Sequence, residues 1–93
     1  MSVYLLSYDL VNESGSHDYK PLWNALAQAG AHRTQYSTWL VASTLTAKGV
    51  HDQFKRYVDS DDRLWVTSVR VSEHWYSNAM TGTNDWLKRN PPR

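Results

Sequence analysis

A single carboxylate, Asp9, closes the apolar run Val3-Tyr4-Leu5-Leu6-Ser7-Tyr8, and it holds the most chemical promise in the chain. A hard cation such as Mg²⁺ takes oxygen ligands and is often held by one or two carboxylates together with a substrate phosphate. An Asp at the far end of a buried strand therefore suits metal-assisted phosphodiester chemistry. The same residue type is also an ordinary turn former at strand ends, through hydrogen bonds to its own backbone. Around it the sequence offers Glu13, His17 and Asp18 in the following loop, with His17 as a candidate general base. Ser37 stands at a hinge between two short strands, and Asp59, Asp61 and Asp62 form a solvated acidic loop that adds oxygen ligands. Arg33, Lys55, Arg56, Arg63, Lys88 and Arg89 can meet phosphates or serve as surface ion-pair partners, being dispersed along the chain. His17, His32, His51 and His74 show no paired metal-ligand spacing.

These residues have to be positioned by elements that the hydrophobic pattern defines. Val3 to Leu10 reads as a strand covered on both faces. From Asp18 to Ala29, Tyr19, Leu22, Trp23 and Leu26 fall at helical spacing, with Pro21 in the first turn and Gly30 as the stop. Ala31 to Tyr36 and Thr38 to Ala42 are two short strands. Thr46 caps a helix to about Val58 whose stripe is Val50, Phe54, Tyr57 and Val58, and Arg63 to Val71 is a β-branched fourth strand. The order strand, helix, strand, strand, helix, strand predicts an α+β, ferredoxin-like βαββαβ domain with its core at residues 3–71 and a C-terminal extension at 72–93. In that topology Asp9, Ser37, Thr38, the loop with His17, and Asp61, Asp62 and Arg63 share one rim.

Both helices of such a fold lie on one sheet face, yet every strand carries apolar residues on both parities. The second face then needs a cover. The economical one is the same face of a second subunit, so a sheet-to-sheet homodimer is expected, with two Asp9 side chains brought toward the symmetry axis. The competing cover is the C-terminal segment with Trp75, Tyr76, Trp86 and Leu87.

The 93 residues fit one domain, and five Trp and six Tyr among 41% hydrophobic residues exclude disorder as the main state. Without Cys there are no disulfides or thiolate metal sites. No run reaches the length of a membrane span or the pattern of a signal peptide, which makes a cytoplasmic location the default expectation. A formal net charge of +1 gives no global attraction to nucleic acid, so such binding would need a local patch.

The run Tyr4-Leu5-Leu6-Ser7-Tyr8-Asp9-Leu10, followed by a helix and then Gln35-Tyr36-Ser37-Thr38-Trp39, resembles the CRISPR-associated Cas-two endoribonucleases and the related virulence-associated protein D group over roughly the first 70 residues. The family's basic pair after the aspartate is replaced here by Ser16-His17-Asp18-Tyr19, and Leu40 stands where an acidic residue is frequent. The resemblance implies a ferredoxin-like homodimer that binds RNA or DNA and cleaves it with Mg²⁺ at Asp9, in a defence or phage setting. Ser37 and His17 would join the catalytic group, and Tyr8, Arg33 and Arg63 would contact nucleic acid. Some relatives act instead as structural adaptors, so a non-catalytic or toxin-like module that docks a protein or nucleic-acid partner is the alternative.

Overall fold

The computed structural model describes residues 1–9 and 19–93. Among the described residues, four strands and three helices follow one another as β1 (Ser2–Asp9), α1 (Lys20–Gln28), β2 (His32–Gln35), β3 (Thr38–Ser43), α2 (Ala47–Lys55), β4 (Arg63–Val69) and α3 (Thr83–Arg89). The sheet order is β2-β3-β1-β4, antiparallel throughout, which is the ferredoxin-like order expected from the sequence. No helix among the described residues is long and apolar enough to cross a membrane.

Strand parity divides β1 between two cores. Tyr4, Leu6 and Tyr8 point toward α1 and α2 and join Leu22, Leu26, Trp39, Val41, Val50 and Phe54 in the main core. Val3 and Leu5 point to the opposite face. In α1 the buried Leu22 and Leu26 are one turn apart, and Gly30, at φ +77°, supplies the left-handed residue that ends the helix. In α2 the Thr46 hydroxyl oxygen accepts the Gly49 N–H at 3.1 Å, the expected cap. The helix stops at Lys55, however, so Tyr57 lies past its end and is exposed instead of completing the buried stripe.

The expected bare face is corrected by α3, which the sequence reading had left without a helix. Trp86, only 4% exposed, packs with Val3, Leu40 and Val69, flanked by Leu5, Ala42 and Leu87. Polar anchors fix the docking. Trp86 Nε1 donates to the Gly30 carbonyl at 2.9 Å, and Met80 N donates to the Thr34 carbonyl at 2.9 Å. The buried Thr83 hydroxyl is a hub: it donates to the Met80 carbonyl at 2.7 Å and meets Thr34 Oγ1 at 3.0 Å and His32 Nε2 at 2.9 Å. With the Thr83 proton committed to Met80, both Thr34 and His32 must donate, which assigns His32 as the Nε2–H tautomer. The chain thus hides one half of its second sheet face itself, the part around Val3, Leu40 and Val69.

Burial, reinforced by the nearby Arg89 cation, holds the His32 pKa below its ordinary 6.5. A histidine with a lowered folded pKa contributes stability that is complete above pH 6.5 and is lost as pH falls through the folded value, because the unfolded chain takes up the proton more readily. Thermal midpoints measured across this window should fall with acidification in the native protein. In His32→Gln, which keeps an N–H for Thr83 and cannot titrate, the fall should be smaller; identical pH profiles would refute the assignment.

Candidate functional site

The strand ends meet as the topology requires. Asp9 is the last residue of β1 and faces Arg63, the first of β4, in register. Tyr8 N donates to the Ser37 carbonyl at 3.2 Å, which sets the β2–β3 turn beside the same end. Asp9 Oδ2 lies 3.8 Å from Arg63 Nη1, with both side chains about seven-tenths exposed (70% and 73%). An ion pair so open to water is worth about 0–1 kcal/mol, little enough for either partner to exchange it for a cation or a phosphate.

Next to Arg63, Asp59, Asp61 and Asp62 each offer a carboxylate oxygen, and these oxygens lie within 4.8 Å of one another. Three hard oxygen donors at this spacing could hold a metal ion. Opposite ligands of a Ca²⁺-sized ion stand about 5 Å apart and those of Mg²⁺ about 4 Å, so the smaller ion asks for some closure. One donor has structural work too: buried Asp62 accepts the Asp59 N–H at 2.7 Å through Oδ2, closing the loop before β4. Asp9 is not a member of this trio.

The predicted nucleic-acid contacts separate sharply. Tyr8 is 3% exposed, and its hydroxyl accepts the Trp23 Nε1–H at 2.7 Å, so it is a core residue and offers no stacking face. Its parity, shared with Tyr4 and Leu6, was the signal that it turns inward. Arg33 is pinned: its guanidinium carbon lies 4.7 Å from the Trp23 ring centroid and 4.9 Å from that of Tyr36, and Nε and Nη2 both donate to the Tyr36 carbonyl. Such stacking plus two hydrogen bonds makes Arg33 a brace between α1 and the β2–β3 turn. Arg63 is the exposed cation of the three. Ser37 is half-buried in the turn, and among the described residues no base hydrogen-bonds its hydroxyl. His17, with Glu13 and Asp18, lies outside the described residues.

Sequence reasoning missed two features. Trp65 on β4 and Trp75 in the loop before α3 are 72% and 95% exposed. Around Trp75, His74 Nδ1 meets the Arg70 carbonyl at 2.8 Å, and the Tyr76 hydroxyl donates to Asn84. No family model matches the chain.

Proposed function

We propose that the protein binds nucleic acid at the strand-end rim and uses a divalent cation there against the phosphodiester backbone. The observation that carries this reading is the meeting of Asp9, Arg63 and the Asp59, Asp61 and Asp62 carboxylates at one end of the sheet. Mg²⁺ or a slightly larger hard cation is the cofactor this donor set suits, with Asp9 or the acidic trio as its ligands. When bound, such an ion supplies charge neutralisation at phosphate and a more acidic water. Arg63, freed from its weak pair with Asp9, engages a phosphate, while Arg33 keeps the turn beside Asp9 in place.

The test is incubation of labelled RNA and DNA with Mg²⁺, Mn²⁺, Ca²⁺ or EDTA. Metal-dependent cleavage should fall at least about tenfold in Asp9→Ala. Arg63→Ala should weaken binding and lower the salt dependence by about one phosphate contact. Cleavage that survives Asp9→Ala, Asp61→Asn and EDTA points to a contaminant and defeats the nuclease reading. A second reading, a non-catalytic adaptor for nucleic acid or protein, is favoured by one observation: Asp62 and Asp9 already have partners in the loop and in Arg63. Salt-sensitive binding without cleavage in any metal would select it.

A further inference from the structure

α3 covers only half of the sheet face opposite α1 and α2. Beyond it, Gln35, Thr38, Ser7 and Trp65 lie in one cross-strand row, each the register partner of the next across β2, β3, β1 and β4. Asp9 and Arg63 form the following row on the same face, at the rim. Strands stand about 4.8 Å apart, so the row spans about 14 Å. Trp75 borders the row from above: together with Leu5, Gln35, Thr38 and Tyr76 it lines a cavity of about 120 Å³ between the sheet and the C-terminal segment. An apolar cavity of roughly 150 Å³ takes up a benzene ring, so this one is of the order of a single planar ring.

We infer that this half-face, left uncovered by the described residues, is a platform for single-stranded nucleic acid, with bases stacking on Trp65 and Trp75, their edges meeting Ser7, Thr38 and Gln35, and the backbone running toward Arg63. The inference rests on the nucleic-acid reading of the rim and adds the strandedness of the substrate and a surface that the rim residues do not include. Trp65 and Trp75, exposed as they are, present two large flat apolar rings to an occupant of this face. The occupant is chosen by what lies between them. Here hydroxyls and an amide separate the indoles. Flat π-faces with polar edges match that pattern, and unpaired bases are such groups. A duplex hides its base faces, and its bases cannot splay onto a sheet.

The experiment measures binding of a labelled single strand of about 12 nucleotides, as RNA and as DNA, and of the matching duplex, by fluorescence anisotropy in EDTA. The single strand should bind more tightly than the duplex. Trp65→Ala and Trp75→Ala should each weaken it by about 5- to 100-fold, and the Phe variants should retain most of the affinity. Both sites are exposed, so unchanged melting of the variants serves as the folding control. If single strand and duplex bind alike and neither indole matters, the platform is refuted while the rim reading stands. If no nucleic acid binds even at low salt, both fall. A dimer in light scattering that dissociates in Trp65→Ala or Trp75→Ala would give the face to a second copy and overturn the inference.

Discussion

Trp86→Ala should lower the stability of the protein by about 3–5 kcal/mol, the cost of truncating a large buried aromatic. Two effects act together. The indole is the centre of the smaller core with Val3, Leu40 and Val69, and its N–H is the partner of the Gly30 carbonyl at the end of α1. Removing it leaves a cavity and an unpaired acceptor, and a helix of seven residues has too little of its own cooperativity to stay docked without that anchor. α3 should therefore undock before the main core melts, exposing Val3, Leu5, Leu40 and Val69. The measurement is urea unfolding followed by far-ultraviolet and near-ultraviolet circular dichroism, with light scattering beside it. A reduced midpoint together with self-association of the variant is expected. A change below about 1 kcal/mol would mean that α3 does not hold that face.

Thr83→Val should cost about 2–3 kcal/mol although the two side chains have nearly the same shape. The native hydroxyl serves the Met80 carbonyl, Thr34 Oγ1 and His32 Nε2 at once. Valine would leave the Met80 carbonyl its bond from the backbone N–H of residue 83, at 3.2 Å, but would strip Thr34 Oγ1 and His32 Nε2 of this partner, and a buried polar group left unsatisfied costs about 1–3 kcal/mol, less where water can reach it. Thr34 is almost wholly buried and cannot recruit water readily, whereas His32 is half-buried and can. Equilibrium unfolding of Thr83→Val, Thr83→Ser and the native protein separates the contributions: serine restores the hub and should recover most of the loss. Equal destabilisation by serine and valine would show that the methyl packing, and not the hydroxyl, is what matters.

The sheet and its two long helices were legible because each repeats its signal over several residues. Alternation marks both faces of β1, Leu22 and Leu26 mark α1, and Thr46 with Val50 and Phe54 marks α2. That Asp9 and Arg63 share a rim was also legible, since antiparallel pairing of β1 with β4 sets the end of one beside the start of the other. α3 was harder. It is short, and it starts from Gly82, at φ +96° with no side-chain cap, so the usual Ser, Thr, Asp or Asn signal is missing. Trp86 and Leu87 do stand one turn on from Thr83, Lys88 and Arg89 suit the last turn, and Pro91 follows the stop. The homodimer expectation rested on a face of which α3, in the same chain, covers one half, and hydrophobic pattern alone does not say which segment covers a surface. Tyr8 was expected at nucleic acid, yet parity already placed it beside Leu6 in the core. The locking of Arg33 between two rings joins residues from three elements and has no local signature.

The unequal exposure of the indoles gives the molecule a built-in optical label. Trp39 and Trp86 are buried, and Trp23 is half-buried beneath the Arg33 guanidinium, whereas Trp65 and Trp75 are exposed on the half-face that the described residues leave open. Iodide or acrylamide should therefore extinguish the emission as two populations, and the accessible one reports on that half-face without any dye attached.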